Sequence, residues 1–168
     1  MFEIGDRVLY SSHGACTIAG IESMRFGKTR GKYYVLQPVD QSDSKYYVPV
    51  DNASAVSKLS PLLSRDELMQ LLHSDAVREN NWIADESGRK QRYKELINSA
   101  DRCALLNMIY CLHQQKKAQK DAGKKFHQCD ENFLHDAQKL LSSEFAVVLG
   151  MEQGSVNDFI LEQLNLRG

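Results

Sequence analysis

The stretch Ser64-Arg65-Asp66-Glu67-Leu68 divides the chain into two parts with different sequence patterns. A serine followed three residues later by a glutamate is a capping box, in which the two side chains bond reciprocally to the backbone at the start of a helix. Leu71 and Leu72 continue the apolar pattern of Leu68 at helical spacing. The sequence therefore predicts that a helical region begins here and that the residues before it fold differently.

Four short apolar runs precede this stretch, and each is bounded by turn-forming residues. The runs lie at residues 7–10, 15–22, 33–36 and 45–50. Glycines in residues 26–31 predict a hairpin tip, because glycine adopts the positive φ that such turns need. Residues 40–44 predict a further polar turn, and Pro49 places the fourth run at a sheet edge. Short strands at this spacing predict a small β barrel or meander.

Apolar residues recur at helical spacing through the rest of the chain. Helices are predicted at residues 82–97 and 102–122, then from Asp130 to Gly150 and from Ser155 onwards. Asp101, Asp130 and Ser155 are the predicted N-caps, and short connections favour a compact bundle. The predicted fold class is therefore α+β with two domains: a small β barrel over residues 1–60 and an all-α helical bundle over residues 61–168.

The composition is that of a globular protein without export or membrane signals. The hydrophobic fraction is 42% and the charged fraction is 26%, and both are ordinary. No apolar stretch approaches the ~18 residues of a transmembrane helix, and the N-terminus lacks a signal-peptide pattern. Four cysteines without such a signal are typical of free thiols in the cytosol. We therefore expect a cytoplasmic monomer without a cofactor.

The net charge of −1 conceals a basic segment at residues 88–125, which carries ten Lys or Arg residues against three Asp or Glu residues. The basic residues fall mainly into two groups, which are Arg89, Lys90, Arg92 and Lys94, and Lys116, Lys117, Lys120, Lys124 and Lys125. Such clusters are typical of polyanion binding, although a solvated helix face gives the same pattern. The helix macrodipole accounts for one or two of the lysines in the second group.

The sequence shows no clear catalytic or metal-binding pattern. Cys111 and His113 point about 200° apart on a helix, so a zinc site that also uses His127 and Cys129 is disfavoured. Cys16 lies close to His13 in sequence, but no strand-to-helix nucleophile elbow is present, and phosphate-loop and dinucleotide patterns are absent. We therefore predict that the protein is not an enzyme, and we rank a thiol or zinc enzyme as the last alternative.

Trp82 is the one tryptophan of the chain, and two roles are open for it. A lone tryptophan most often packs in a core or an interface. Its neighbours Glu79, Asn80, Asn81 and Asp85 are polar, however, and it stands at a predicted helix start. A large ring in such a position can wedge against base steps in the minor groove of DNA, at a cost of a few kcal/mol in unstacking.

These features together resemble the CarD family of bacterial RNA polymerase-binding transcription regulators. The N-terminal signature is Phe2-x-Ile4-Gly5-Asp6-x-Val8-x-Tyr10-x-x-His13-Gly14, followed by residues 34–36 and 48–53. Residues 92–96 and 133–144 are similar to the family's helical domain, so the resemblance covers nearly the whole chain. It implies a Tudor-like or SH3-like barrel that docks on the lobe of the polymerase β subunit. It also implies a helical domain that contacts promoter DNA beside the melted region.

For docking, the resemblance implies a surface and not named contacts. We predict that this surface is the strand edge around Arg25, Lys45, Tyr46, Tyr47 and Val48, and that promoter DNA is contacted by Trp82, Arg89, Lys90, Arg92 and Lys94. Trp82 precedes Tyr93 by eleven residues, which is further than in well-known members. The family's polymerase-contacting arginines align near Met24 and Tyr47. The expected function is to alter the stability of the open promoter complex, as a nucleoid-associated protein.

Two other functions fit the same layout. A protein-interaction adaptor without a nucleic-acid role would use its barrel and would show no salt dependence linked to DNA. An RNA-binding, ribosome-associated module would prefer structured RNA to fork-like promoter DNA.

Overall fold

The computed structural model describes residues 1–40 and 43–166 of the chain. Two compact units are present, Met1–Leu62 and a second unit that begins at Leu63. The first is built on a β-sheet and the second on helices, so the predicted α+β architecture is confirmed. The division falls two residues beyond the predicted boundary. Gln41 and Ser42, which belong to the turn predicted at residues 40–44, lie outside the described residues.

Within the described residues, the first unit is built on a five-stranded antiparallel sheet. Its strands are β1 (Arg7–Tyr10), β2 (Gly14–Phe26), β3 (Thr29–Pro38), β4 (Tyr46–Pro49) and β5 (Leu59–Pro61), in the order β4-β3-β2-β1-β5. All four predicted strands are present, and the strand that contains Pro49 is an edge, as predicted. The sequence pattern misses β5 and the short helix α1 (Ala53–Val56), because three or four residues are too few to show a periodicity.

The longest hairpin joins β2 to β3. Phe26 pairs with Thr29, so the turn consists of Gly27 and Lys28, and Gly27 has a φ of +61°. This tip lies within the predicted residues 26–31, but the strands extend further into that segment than the sequence indicates. The side chains at this end are exposed, so the hairpin tip is part of the protein surface.

One face of the sheet packs into a buried core. The members of this core come from all five strands, and they are Val8, Cys16, Ile18, Tyr34, Leu36, Val48 and Leu59. The hydroxyl oxygen of Tyr34 accepts a hydrogen bond from the backbone N–H of Phe2 at 3.2 Å. Because side chains alternate along a strand, this core fixes which residues of each strand face outwards.

Five helices and one 3-10 turn make up the second unit within the described residues. They are α2 (Arg65–Leu72), the 3-10 turn Asp75–Arg78, α3 (Glu86–Ser99), α4 (Arg102–Asp121), α5 (Gln128–Leu149) and α6 (Gln153–Gln163). Two N-caps are confirmed: Ser64 accepts from the Glu67 N–H at 3.1 Å, and Asp101 accepts from the Ala104 N–H at 3.1 Å. Gly150 ends α5 with a φ of +65°, also as predicted.

The predicted start of the helix at residues 82–97 is wrong. The helix α3 begins at Glu86 and not at Trp82, because Asp85 is its N-cap and accepts a hydrogen bond from the Gly88 N–H at 2.8 Å. Gly88 therefore lies in the first turn of α3. Trp82 is left outside the helix.

Two predicted N-caps are also wrong. The helix α5 begins at Gln128, so Asp130 lies inside its first turn and is buried. The helix α6 begins at Gln153, so Ser155 lies inside it. Because a buried carboxylate needs a partner, Asp130 has to be paired inside the unit.

Apolar side chains of all five helices form the interior of the second unit. Its largest fully buried members are Phe145, Leu68, Leu72, Leu105, Leu106, Met108, Ile109 and Leu112. The helix α5 contacts α2, α3, α4 and α6, which makes it the central helix of the unit. Among the described residues, no helix combines the length and the apolar character that crossing a bilayer requires.

Candidate functional site

Trp82 lies in an irregular segment, residues 79–85, between the 3-10 turn and α3, which we call the Trp82 segment. The side chain is half-buried. Its ring stacks on the guanidinium of Arg89, whose Cζ lies 4.4 Å from the ring centroid. A cation at this distance over an indole face makes a cation–π contact. Trp82 therefore lies at the edge of the fold, outside any helix, against one side chain of α3.

Arg89 is buried, with 4% of its surface exposed, and all three of its guanidinium nitrogens are hydrogen-bonded. Nε and Nη2 donate to the two carboxylate oxygens of Asp130, each at 2.9 Å. Nη1 donates to the carbonyl oxygens of Ile83 and Ala84, at 3.0 and 3.4 Å. Burial opposes the charged form, but the hydrogen bonds and charge of Asp130 hold the pKa of Arg89 above its ordinary value.

The prediction that Arg89 contacts DNA is therefore corrected. A phosphate would have to displace Asp130 or the backbone carbonyls from a guanidinium that is already engaged and shielded from water. That exchange would leave the Asp130 carboxylate buried without its partner, at a cost of several kcal/mol. Arg89 organises the Trp82 segment from inside the unit.

A second buried polar side chain holds the beginning of the Trp82 segment. Asn107 on α4 donates from Nδ2 to the carbonyl oxygens of Val77 and Glu79, at 3.1 and 2.8 Å. Its Oδ1 accepts a hydrogen bond from Nδ2 of Asn81 at 3.1 Å. The backbone is thus fixed to α4 before the tryptophan and to Arg89 after it.

The three other predicted DNA contacts on α3 do not form one patch. Lys90 and Lys94 are four residues apart and share a face of the helix, whereas Arg92 lies about 200° around the helix from each of them. Lys90 pairs with Glu86 at 3.1 Å and Arg92 with Glu95 at 3.6 Å, and both pairs are exposed. Exposed pairs of this kind stabilise a protein little and exchange readily for other partners. Lys90 and Lys94 are the two that one phosphate backbone could contact together.

Arg92 borders a different feature, a cleft of about 480 Å³ beside the Trp82 segment. Its lining includes Asn81 and Ile83 from that segment, Tyr93 from α3 and Cys103 from α4. Because charged, amide, thiol and apolar groups are mixed there, the lining does not select one class of ligand.

The second basic group lies at the end of α4 and directly after it. Lys117, Lys120, Lys124 and Lys125 are exposed, and Lys116 pairs with Glu131 on α5 at 2.9 Å. These lysines form a second exposed basic surface on the same unit.

The helix α5 carries a second buried ion pair. Glu144 is fully buried and accepts hydrogen bonds from Nη2 and Nε of Arg102, at 2.8 and 2.9 Å. The Leu63 N–H also donates to it, at 3.5 Å. Burial raises the pKa of Glu144, and Arg102 opposes that rise without cancelling it. The partners found for Glu144 among the described residues lie outside the Trp82 segment.

Asp130 and Glu144 are site and scaffold residues that sequence reasoning misses. Both stand at core-facing positions of α5, with Asp130 four residues before Leu134 and Glu144 three residues after Leu141. A carboxylate at an apolar position of a helical pattern is the signal that could have found them, because such a group requires a buried cation or donors.

Three of the five residues predicted to contact RNA polymerase are exposed. Arg25 lies near the hairpin tip, where its Nε donates to the carbonyl oxygen of Gly27 at 3.1 Å, and Lys45 precedes β4. Tyr47 on β4 is 38% exposed. Phe26, which the prediction omits, is 47% exposed and lies close to Tyr47.

The other two predicted residues face the interior. Val48 is 1% exposed and belongs to the core, so its side chain is not available to a partner as predicted. The physical reason is strand alternation, since the exposure of Tyr47 requires its neighbour to point inwards. Tyr46 is half-buried against Tyr10 and His13, with ring centroids 5.6 and 4.5 Å away. Tyr46 therefore supports β4 from the inner side of the sheet.

Phe26, Tyr33 and Tyr47 form an aromatic cluster on the outer face of the sheet. The ring centroids of Phe26 and Tyr33 are 4.9 Å apart, and those of Phe26 and Tyr47 are 5.8 Å apart. The cluster draws on three adjacent strands, one of which is the edge strand β4. Exposed aromatic residues are enriched among the strongest contacts of protein interfaces.

Cys16 is a buried residue in the core of the first unit. Burial, together with the charge of Asp40, raises the pKa of Cys16 to about 12, so the thiol is protonated at neutral pH. Its Sγ donates a weak hydrogen bond to the carbonyl oxygen of Gly14 at 3.7 Å. In the part of the chain that the structure describes, no group of three or more His, Cys, Asp or Glu side chains could hold a metal ion.

Comparison with known proteins adds two findings. Residues 2–60 match the CarD-like/TRCF RID domain family. Over 165 residues the chain is 26% identical to YdeB of Bacillus subtilis (strain 168), which is named as a candidate transcription factor. That similarity covers 95% of this chain and 99% of YdeB, so it extends through both units.

Proposed function

We propose that this chain, which belongs to the CarD-like family, is a non-enzymatic regulator that docks on the lobe of the RNA polymerase β subunit and contacts promoter DNA beside the melted region. Its family gives it a transcription-related role that involves RNA polymerase. The observation that carries the DNA part of the proposal is Trp82. Its half-buried indole projects from an irregular segment that buried side chains fix at both ends.

The first unit offers a surface suited to a protein partner. The aromatic cluster supplies two exposed rings next to the edge strand β4, which has a neighbouring strand on one side. An edge strand can accept a further strand from a partner, while nearby side chains give specificity. Arg25 and Lys45 add positive charge near this surface. The polymerase-binding set we propose is therefore Arg25, Phe26, Lys45 and Tyr47.

The second unit offers a wedge and a pair of cations. Arg89 covers one face of the indole, and Trp82 is half-buried and not fully buried, from which we infer that part of the ring is available to a ligand. An aromatic wedge in the minor groove unstacks a base step at a cost of a few kcal/mol. Lys90 and Lys94 can neutralise neighbouring phosphates, which supplies affinity without sequence preference.

The regulatory effect follows from differential binding. Two or three phosphate contacts give weak, non-specific DNA binding, so the polymerase has to bring the protein to the promoter, where tethering raises its local concentration. A wedge that fits unstacked DNA binds the open complex better than the closed one. It shifts the equilibrium by that difference in affinity.

The polymerase part is tested by calorimetric titration of the full chain into purified β lobe. We expect saturable binding, and at least tenfold weaker binding, ~1.4 kcal/mol, for the Phe26→Ala/Tyr47→Ala double variant. Trp82→Ala is the matched control, because it removes an aromatic ring from the other unit, and it should bind as the wild type does. Failure of the full chain to bind, or equal binding by the double variant, would refute the docking assignment.

The DNA part is tested by measuring affinity for a fork-shaped promoter fragment as a function of salt. Lys90→Glu/Lys94→Glu should make the slope of log K against log salt shallower by roughly 0.9 for each phosphate that the protein no longer neutralises. Arg92→Glu is the control, because it reverses a charge on the opposite face of the same helix. A flat salt dependence of the wild type would favour the adaptor, and tighter binding to structured RNA would favour the ribosome-associated module.

A further inference from the structure

We propose that Asp130 is the positioning residue for Trp82: through the Arg89 guanidinium it sets the orientation of the indole, so that α5 determines how the tryptophan is presented. The consequence for promoter DNA rests on the function proposed above. The positioning itself is a property of the free protein.

The geometry of one guanidinium carries this inference. Asp130 accepts two parallel hydrogen bonds, from Nε and Nη2, each at 2.9 Å. A two-pronged arginine–carboxylate contact fixes the plane of the guanidinium as well as its place. The indole of Trp82 stacks over that group, with Cζ 4.4 Å from the ring centroid. The orientation of the carboxylate on α5 is thereby transmitted to the ring.

The remaining guanidinium nitrogen acts on the backbone next to the tryptophan. Nη1 of Arg89 donates to the carbonyl oxygens of Ile83 and Ala84, which follow Trp82 directly. One side chain therefore contacts the indole, the backbone after it and α5 at the same time. Lysine could not replace it, because an ammonium is a point charge without the planar fork that stacking and two-pronged binding require.

Loss of Asp130 should release this end of the Trp82 segment and leave the other end in place. Without its partner, the Arg89 guanidinium would be a buried, uncompensated charge and would turn towards water. The hydrogen bonds of Asn107 to Val77 and Glu79 do not involve Arg89, so the beginning of the segment stays attached to α4. The expected change is greater mobility of the indole and retention of the fold.

The pair of Arg102 and Glu144 provides an internal control. It is also an arginine–carboxylate pair, its carboxylate is also buried on α5, and its shortest contact is 2.8 Å. The partners found for Glu144 among the described residues lie outside the Trp82 segment. If Asp130 merely stabilised the unit, both pairs would affect Trp82 equally.

The test uses the fluorescence of Trp82, which is the chain's single tryptophan. In the full chain, Asp130→Asn and Arg89→Lys should raise the acrylamide quenching constant severalfold and lower the fluorescence anisotropy. Glu144→Gln and Arg102→Lys should leave both values at those of the wild type. Unchanged fluorescence in the first two variants, or equal changes in all four, would overturn the proposal. Circular dichroism confirms that each variant is folded.

A measurement on the wild type covers the case in which Asp130→Asn does not fold. Nuclear Overhauser contacts between the Arg89 Nε–H and the Trp82 ring protons should be present in the free, labelled protein. Their absence under conditions where other core contacts are seen would overturn the proposal without any variant.

Measurements of promoter-complex lifetime separate the positioning role of Asp130 from the proposed function on which its consequence for DNA rests. With polymerase bound equally, Asp130→Asn and Arg89→Lys should change promoter-complex lifetime in the same direction as Trp82→Ala. Combining Asp130→Asn with Trp82→Ala should add nothing further. If Trp82→Ala has no effect on promoter complexes, the proposed function fails, while the fluorescence and Overhauser results still decide the positioning role.

Discussion

The aromatic cluster of the first unit and the Trp82 segment of the second present their rings by different means. Phe26 and Tyr47 project from paired strands, where the backbone ladder and the alternation of side chains determine their direction. Trp82 projects from a segment without regular structure, and its direction depends on hydrogen bonds from Asn107 and Arg89.

The two regions should therefore respond differently to substitution. In the sheet, we expect the backbone ladder to stay in place when one exposed ring is removed, because the ladder does not depend on that side chain. In the Trp82 segment, the residues that hold the ring are themselves buried and polar, so replacing them alters stability and presentation together. Three substitutions test this contrast.

The largest effect is expected at Asp130. Asp130→Ala should lower the free energy of unfolding by about 3–5 kcal/mol, because it leaves the buried Arg89 charge without its partner. Urea denaturation measures the loss. Replacing both partners, as in Arg89→Met/Asp130→Leu, should recover most of it, since no charge then remains buried. A loss below about 1 kcal/mol for the single variant would contradict the burial of this pair.

An intermediate effect is expected at Asn107. Asn107→Ala should cost about 1–3 kcal/mol, because the carbonyl oxygens of Val77 and Glu79 lose a donor inside the unit. The Trp82 fluorescence should also become easier to quench. Asn98→Ala, which changes an exposed asparagine on α3, serves as the control for thermal denaturation and for quenching. An Asn107→Ala protein as stable as the wild type would show that the segment is held in another way.

The smallest effect on stability is expected at Tyr47. Tyr47→Ala should change the free energy of unfolding by about 0.5 kcal/mol or less, as is usual for surface positions. Val48→Ala, one residue along, should cost roughly 1.5 kcal/mol or more, because Val48 is in the core. For polymerase binding we expect the reverse order, in which Tyr47→Ala weakens binding more than Val48→Ala does. A stability loss at Tyr47 equal to that at Val48 would contradict the assignment of faces on β4.

The elements of regular structure were largely predictable from the sequence. Alternation and turn residues located the first four strands, and the capping residues Ser64 and Asp101 located two helix starts, because these signals act between near neighbours. The short strand β5 carries too few residues to produce such a signal. The start of α5 was missed because aspartate is a common N-cap residue, whereas Asp130 is paired with Arg89, which lies 41 residues away in the sequence.

The site was less predictable than the fold. Charge counting grouped Arg89 with Lys90, Arg92 and Lys94. In the structure, however, Arg89 is buried and Arg92 lies on a different face of α3 from the two lysines. Burial and helix phase distinguish these residues, and both depend on where α3 begins, which Asp85 determines. The same holds for Tyr47 and Val48, whose roles depend on which of the two faces inwards.

We propose that Trp82 acts on promoter DNA while the first unit binds the polymerase. The most direct test is the lifetime of the open promoter complex, measured with saturating wild-type protein and with saturating Trp82→Ala. We predict that the wild type slows collapse of the complex and that Trp82→Ala returns the lifetime towards that of polymerase alone, with unchanged polymerase affinity. Equal lifetimes with the two proteins would contradict the claim.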